Sequence, residues 1–406
     1  MKRFDVLLYT LTKYFELGIV ALVSFHFAKF GGPEVFGRMS IYFVIITYSA
    51  FLALGINSSF VKHYSVSLDK LSRDRLVVYN FLYNIFMSFI SYFIVYIFFN
   101  DMHGLPLAVI CSLNLVRGSV QAILRAKNKT ILLGFFNATY SLFFLFFYIV
   151  IVAFPENYET SYFLRSWSLA MTVAILVGIT LISGNVFSRH GYSLIFFKSV
   201  SGVVLRDSLL LSILNIGNTV FISSDRLILN IFRISHVDLG FYQFADNISA
   251  IFHIGSSSIL YVMVPHYMEK LSSKNISIDE FSRKFFSLFI KWFFVLVFYI
   301  LVVFFIVNFM FYEYINSMYF VVALSFQKYL LLFLFIPTVI LTTFSKEYIA
   351  IKCYFFAVSL LISFQYVIAS YFTDAIFYMP LISICAIFFL LFMLSRFYVC
   401  GKFDVA

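Results

Sequence analysis

Stretches of about 20 apolar residues recur along the whole chain and restrict its fold more than any other sequence feature. Of the 406 residues, 62% are hydrophobic and 12% are charged, whereas soluble domains have roughly 45–50% apolar and 25% charged residues. Because a helix needs about 20 apolar residues to cross a bilayer, the sequence predicts an all-α, multi-pass membrane protein with about twelve transmembrane helices. The predicted spans are 8–30, 40–60, 76–99, 105–124, 131–154, 162–182, 203–232, 239–265, 285–311, 317–344, 348–372 and 375–399.

The short segments between these spans alternate in charge. With the N-terminus placed in the cytoplasm, the outer turns carry mainly acidic residues such as Glu156, Asp238 and Glu313, and the inner turns are basic. This is the positive-inside pattern, and it predicts that both termini are cytoplasmic. It also accounts for most of the net charge of +10 without a nucleic-acid partner. The basic inner-turn residues include Lys62, Arg73, Arg75, Arg125, Lys127, Lys129, Arg189, Arg206, Lys270 and Lys274.

Several classes of protein are disfavoured by the same pattern. No segment between the spans is long enough for a soluble catalytic domain, and no acid–base pair with catalytic spacing is evident. Cys111, Cys353, Cys385 and Cys400 are scattered, with neither metal-binding nor disulfide spacing. The sequence therefore predicts neither an enzyme nor a metal site.

An internal repeat divides the chain in two. A shift of 203 residues places the second predicted span on the eighth and pairs a few identical residues. Six spans per half is an even number, so both halves have the same orientation in the membrane. The repeat predicts two six-helix lobes, 1–196 and 197–406, related by a pseudo-two-fold axis along the membrane normal. The identical pairs include Gly37 with Gly240, Val61 with Val264, His63 with His266, and Tyr64 with Tyr267.

Short motifs at corresponding places in the two halves resemble a known family. The first half has Phe-Gly-Gly-Pro-Glu-Val-Phe-Gly at 30–37 and Leu-Gly-Ile-Asn at 54–57. The second half has Ser-Asp-Arg-Leu-Ile-Leu at 224–229, Leu-Gly-Phe-Tyr-Gln-Phe-Ala at 239–245, and Val-Pro-His-Tyr at 264–267. These segments are similar to those of the O-antigen and capsular repeat-unit flippases of the multidrug/oligosaccharidyl-lipid/polysaccharide exporter superfamily.

The resemblance implies a fold of two six-helix lobes facing a central cavity, in the bacterial inner membrane. It implies alternating-access transport of an undecaprenyl-pyrophosphate-linked oligosaccharide, an O-antigen or capsule repeat unit for lipopolysaccharide or capsule, from the cytoplasmic to the outer leaflet. The expected partners are this lipid-linked glycan, membrane lipid and other polysaccharide assembly proteins.

Basic side chains inside the predicted spans are costly in lipid and are therefore expected to face protein or water. One interpretation places four of them in a cationic cavity that binds pyrophosphate, because guanidinium groups bind phosphate oxygens in a bidentate manner. The other pairs them locally, Arg226 with Asp246 and Arg165 with Glu159. The candidate substrate-binding residues are Arg117, Lys328, Arg226 and Arg165, with the polar residues Asn114, Gln121 and Asn215 on the same helix faces.

Two acidic residues inside the seventh and eighth spans have two interpretations. Asp225 and Asp246 are candidate sites for a coupling cation, so that a proton or sodium gradient drives transport. They are equally candidates for counter-ions of Arg226. No other cofactor is expected.

Three residues are candidate bending points. Pro337 lies inside the tenth span, where its missing N–H is expected to interrupt the helix. Gly55 and Gly217 lie inside the second and seventh spans. In a transporter that alternates between two conformations, such positions are candidate hinges.

Two rival functions remain open at this point. A multidrug exporter of the same fold is expected to have an acidic and aromatic cavity, against which the surplus of basic buried residues argues. A membrane polysaccharide polymerase or ligase is expected to have one large extracytoplasmic loop, which this sequence lacks.

Overall fold

The protein is helical throughout the part of the chain that the structure describes. The computed structural model describes residues 3–66, 70–99, 102–127, 129–186, 194–273, 275–344, 346–372 and 374–400. Arg189 and Lys274 of the predicted inner turns lie outside these residues. The helices are α1 (Arg3–Ser49), α2 (Ile56–Val66), α3 (Lys70–Phe98), α4 (Gly104–Ala126), α5 (Thr130–Tyr148), α6 (Thr160–Val186), α7 (Leu194–Ile231), α8 (His236–Ser272), α9 (Ile278–Met310), α10 (Met318–Phe333), α11 (Phe335–Thr343), α12 (Glu347–Tyr371) and α13 (Ala375–Cys400).

The helices cover the predicted spans, with breaks inside two of them, which confirms the all-α, multi-pass prediction. Ten helical stretches in the described residues are long and apolar enough to cross a membrane. One of them, Thr10–Ala53, contains the first two predicted spans, which are separated by a non-helical residue, Gly32, with φ 76°. Pro33 follows directly, a favourable residue at the first position of a helix. In a bilayer, helices satisfy their own backbone hydrogen bonds, which makes them suitable for spanning it.

Two predicted spans are not continuous helices. The span 40–60 is interrupted where Leu54 and Gly55 both adopt positive φ, 46° and 69°. The span 317–344 is interrupted at Leu334, between α10 and α11. Pro337 explains this second break, because it has no N–H to donate to the carbonyl of Phe333.

The chain forms two compact units that exchange short segments. Unit 1 comprises Met1–Gly31 and Ile41–Asn215, and unit 2 comprises Gly32–Ser40 and Ile216–Ala406. These units differ from the predicted lobes 1–196 and 197–406, which remain a prediction, because α7 is divided after Asn215 and the segment after Gly32 groups with unit 2.

In unit 1, α2 to α6 and the first part of α7 pack around a common core. Its buried side chains include Phe60, Val120, Phe136 and Ile175. The first part of α7 is joined to α2 by polar contacts, since Ser59 Oγ donates to Val204 O at 2.9 Å and Lys62 Nζ lies 3.0 Å from Asp207.

In unit 2, the segment after Gly32 packs against the start of α8 through two glycines. A Cβ on Gly37 would collide with the carbonyl oxygen of His236, and a Cβ on Gly240 would collide with that of Pro33. The 203-residue shift relates Gly37 to Gly240 and Pro33 to His236, so the two contacts are reciprocal. Such reciprocity is the property of a two-fold contact between equivalent segments.

Candidate functional site

A buried ion triad joins α1 to α4 in unit 1. Arg117 Nη2 donates to Glu16 Oε1 at 2.6 Å, and Lys13 Nζ donates to Glu16 Oε2 at 2.8 Å. The side chain of Glu16 is 6% exposed and that of Arg117 is 14% exposed. Lys13 and Glu16 meet because residues three apart on a helix are neighbours. Two cations share one carboxylate, so the triad has an excess of one positive charge.

The guanidinium of Arg117 is held on its other side by an aromatic ring. It lies 4.0 Å from the ring centroid of Tyr140, which is buried on α5. This is a cation–π contact, which fixes the guanidinium without using its donors. Arg117 Nε is buried and makes no hydrogen bond to the described part of the chain. The residue therefore has donor capacity beyond its bond to Glu16.

The triad lines a polar cavity of about 310 Å³ within unit 1. Three polar lining residues, Asn114, Arg117 and Gln121, come from α4 at spacings of three and four, which places them on one helix face. Amide groups and cations thus face the same space. The polar lining residues are Lys13, Glu16, Asn57, Asn114, Arg117 and Gln121.

The backbone break before α2 positions Asn57 at this cavity. Gly55 adopts positive φ, and a Cβ there would also collide with the backbone of Ser208, so glycine is required on both counts. Asn57 Oδ1 accepts a hydrogen bond from Asn84 Nδ2 at 3.1 Å. Gly118 keeps the adjoining wall open, because a Cβ there would lie 3.0 Å from Asn57 Nδ2.

The structure brings three predicted binding residues together in this cavity, namely Arg117, Asn114 and Gln121. Gln121 Nε2 donates to Asn137 Oδ1 at 2.8 Å, and Asn114 Nδ2 donates to a backbone carbonyl at 3.4 Å. Both side chains line the cavity, and each amide also has an oxygen that can accept a hydrogen bond. Their role in substrate binding stays a prediction.

Sequence reasoning missed the residue that organises the cavity. The spacing of Lys13 and Glu16 predicts a local pair, whereas Arg117 has no acidic residue nearby in sequence and is bonded to Glu16 across 101 residues. One signal was present, since Glu16 is the only acidic residue of the span 8–30. A lone carboxylate in a membrane helix requires a partner.

Two predicted binding residues lie away from this cavity. Arg165 is exposed on α6, with its guanidinium 5.5 Å from the ring centroid of Tyr162 and no ion pair to Glu159. Asn215 is exposed on α7, where unit 1 ends. Neither lines the 310 Å³ cavity.

A second ion cluster lies on α7, α8 and α10 in unit 2. Arg226 Nη1 lies 2.9 Å from Asp246 Oδ2, and Lys328 Nζ lies 2.7 Å from Asp246 Oδ1. Lys328 Nζ also donates to Asp246 O at 2.8 Å and to Ser249 Oγ at 2.9 Å. The ammonium group thus has three acceptors, which is its full donor capacity.

The same cluster includes a second carboxylate. Asp225 accepts hydrogen bonds from the Tyr242 hydroxyl and, at 2.7 Å, from the backbone N–H of Arg226. Arg226 Nη1 also donates to Gln243 Oε1 at 3.2 Å. Two cations and two carboxylates make the cluster neutral. Its side chains are buried; those of Arg226 and Lys328 are 6% and 2% exposed.

This geometry matches the local-pairing interpretation for unit 2. Arg226 pairs with Asp246, and Lys328, which has no acidic neighbour in sequence, pairs with the same residue across 82 positions. Both carboxylate oxygens of Asp246 are occupied by cations. Arg226 and Lys328 are thus both paired and buried in unit 2, and their role in substrate binding stays a prediction.

Two further cavities lie within unit 2. One of about 340 Å³ is lined by polar groups of Asn218, His253 and Tyr354, among others, and the Tyr354 ring packs directly on Gly217. The other, of about 430 Å³, is mostly apolar and includes Pro337. Hinge roles for Gly217, Gly55 and Pro337 stay predictions, although Gly55 and Pro337 both lie at observed helix breaks.

No family model and no curated protein matches this sequence. Solved structures do match its fold. An inward-facing multidrug resistance MATE family transporter of the MOP superfamily superposes with a TM-score of 0.63 at 13% identity, covering 98% of this chain and 96% of that chain. A mutant of a MATE transporter from Vibrio cholerae gives 0.62 at 12% identity, covering 98% and 97%.

A third structure is a MOP superfamily transporter from Pyrococcus furiosus, for which a reversed polarity of the binding pocket is said to suggest a different function. It gives a TM-score of 0.58 at 13% identity and covers 98% of this chain and 96% of that chain. At such identities the likeness concerns the fold. The chain is therefore a multi-pass membrane protein with the fold of the MATE transporters of the MOP superfamily.

Proposed function

We propose that the protein is a transporter that moves an undecaprenyl-pyrophosphate-linked oligosaccharide, an O-antigen or capsule repeat unit, from the cytoplasmic to the outer leaflet of a bacterial inner membrane. The observation that carries the proposal is the positively charged cavity of unit 1, with Arg117 on its wall. The MATE-like fold supports transport, and the motifs at 30–37 and 224–245 support the substrate class.

The chemistry of the cavity suits a phosphate group attached to sugars. Guanidinium and ammonium groups donate strong charge-assisted hydrogen bonds to phosphate oxygens. The amides of Asn57, Asn114 and Gln121 offer donors and acceptors for hydroxyl groups. An inside-negative membrane potential favours outward movement of the anion, at about 2.3 kcal/mol per charge per 100 mV. Alternating access is the proposed mechanism, and a proton or sodium gradient is a proposed additional driving force.

For Asp225 and Asp246, we favour the counter-ion role over ion coupling. Asp246 has a cation on each oxygen, and Asp225 has a donor on each oxygen. A coupling ion would have to displace Lys328 or Arg226 from a buried carboxylate. The closed network in unit 2 therefore supports a structural role.

The second candidate is a multidrug exporter. One observation favours it, because two of the compared structures are MATE transporters, one of them described as a multidrug resistance transporter. The positive charge of the unit 1 cavity argues against cationic drugs as substrates. Drug susceptibility of a deletion strain separates the two, since the flippase proposal expects no change in susceptibility and an accumulation of lipid-linked glycan.

The direct test is charge reversal in a complementation assay. Arg117→Glu places a second carboxylate beside Glu16 and is expected to abolish delivery of repeat units to the cell surface. Arg283→Glu is the matched control, because Arg283 is exposed on α9, lies outside the cavity and is not a candidate binding residue. Both variants are compared at equal membrane levels. If the Arg117→Glu variant delivers repeat units to the cell surface as efficiently as the wild type, the proposal is wrong.

A further inference from the structure

Glu16 occupies the position that an anionic substrate would need. Its two carboxylate oxygens accept from Arg117 and Lys13, the two cations of the unit 1 cavity. A phosphate entering this cavity requires the same N–H groups. The carboxylate of the protein and the phosphate of the substrate are therefore competitors for one set of donors.

The empty cavity also needs this carboxylate. Arg117 is largely buried, and a buried cation without a counter-ion is strongly unfavourable. When no substrate is present, Glu16 neutralises Arg117. When an anionic substrate binds, it neutralises Arg117 in place of Glu16, so Arg117 has a counter-ion in both states.

The geometry allows such an exchange without moving Arg117. The guanidinium is stacked on Tyr140, so it is held in place by a contact that does not involve Glu16. Glu16 lies on another helix, α1, and it also lines the cavity. A side-chain rotation of Glu16 frees the Nη2 donor, while the buried Nε of Arg117 already makes no hydrogen bond to the described residues.

The unit 2 cluster differs from this arrangement in burial and in charge. Asp246 also binds two cations, but the side chains of Arg226 and Lys328 are only 6% and 2% exposed, and neither lines the cavities of about 340 and 430 Å³ described above. Asp225 balances the second positive charge, so this cluster has no excess charge that would attract an anion. The unit 1 triad combines an excess positive charge with a cavity, and it is therefore the better candidate for such a competition.

We propose that Glu16 is an internal substitute for the substrate phosphate, a positioning residue that competes with the anionic headgroup for Arg117 and Lys13 and so limits its affinity. This inference rests on the proposed function. It follows that removing the charge of Glu16 strengthens anion binding. It also slows the transport cycle, because no carboxylate then competes with the bound anion for Arg117 and Lys13, and the anion dissociates more slowly.

The experiment measures binding of farnesyl pyrophosphate to the purified full-length protein in detergent, in chloride-free buffer so that no small anion competes. Glu16→Gln is expected to bind about tenfold tighter than the wild-type protein, which corresponds to about 1.4 kcal/mol. Arg117→Gln is expected to bind at least about tenfold more weakly. Glu280→Gln is the matched control, since it removes an exposed carboxylate paired with Lys284 outside the cavity, and its affinity should equal that of the wild type.

A second variant covers the case in which Glu16→Gln does not fold. Glu16→Asp keeps the charge but withdraws it by one methylene from the cations, and it is expected to bind about two- to threefold tighter than the wild type. In a reconstituted flipping assay, a folded Glu16→Gln is expected to turn over more slowly despite its higher affinity.

The possible outcomes separate the two proposals. Unchanged or weaker binding by Glu16→Gln, together with weak binding by Arg117→Gln, overturns the role of Glu16 and leaves the cationic cavity standing. Wild-type affinity in both variants overturns the cavity as a pyrophosphate site and the inference with it. Tighter binding by Glu16→Gln with normal turnover overturns the part of the inference that concerns the cycle.

Discussion

The two buried ion clusters are built from the same parts and differ in their surroundings. In unit 1, Glu16 binds two cations at the wall of a polar cavity. In unit 2, Asp246 binds two almost fully buried cations, and a second carboxylate, Asp225, completes a neutral network. A buried ion pair is therefore not informative by itself. Charge balance and access decide whether its cations remain available to a ligand.

The largest expected effect comes from removing the carboxylate of Asp246, which Arg226 and Lys328 share in the unit 2 cluster. Asp246→Asn leaves Arg226 and Lys328 buried with one carboxylate between them and is expected to cost about 3–5 kcal/mol of stability, because breaking a buried pair leaves an uncompensated charge. The measurement is thermal unfolding of the purified variant in detergent. Wild-type stability would show that water reaches this cluster and would remove the contrast between the units.

The equivalent substitution in the unit 1 triad is expected to lower the stability of the protein less. Glu16→Gln should lower stability by about 1–2 kcal/mol, because water or an anion in the cavity can replace the lost bonds of Arg117. Adding inorganic pyrophosphate should restore part of the melting temperature of Glu16→Gln and none of that of Asp246→Asn. Equal rescue of both variants, or of neither, would contradict the distinction between an open and a closed site.

The smallest expected effect is the response of the wild-type protein to sodium. A ligand that binds only the folded protein and is present at 100 times its Kd adds about 2.7 kcal/mol to the stability. With Lys328 on Asp246, no such site is expected in the unit 2 cluster, so the melting temperature should be the same in sodium and choline salts. If sodium raises the melting temperature of Lys328→Met but not that of the wild type, the ammonium group of Lys328 occupies a site that a metal cation can bind in its absence. Sodium stabilisation of the wild type would instead favour ion coupling.

The sequence was sufficient to predict the helices but not to predict most of the ion pairs between them. Membrane spans are local features, since apolar length and turn charge identify them without any tertiary information. The break at Gly32 was foreseeable from the adjoining Pro33, whereas the positive φ of Leu54 had no such signal in the sequence, since leucine rarely adopts it.

The ion clusters were only partly foreseeable for the same reason. Lys13 with Glu16 follows from helix spacing, and Arg226 with Asp246 was one of two interpretations. Glu16 with Arg117 and Asp246 with Lys328 join residues 101 and 82 positions apart. Only the packing of helices places such residues side by side, so spacing could identify the cations but not their partners.

The reciprocal contact of Gly37 and Gly240 has a consequence for how such a chain can arise and change. Each glycine meets the backbone that precedes the other, so a side chain on either one displaces main chain and cannot be absorbed by a neighbouring rotamer. Two separate copies of a half-length ancestor could make this contact as readily as one fused chain. In the single chain, a substitution at either glycine requires the main chain of the other segment to move, so the two positions are constrained together.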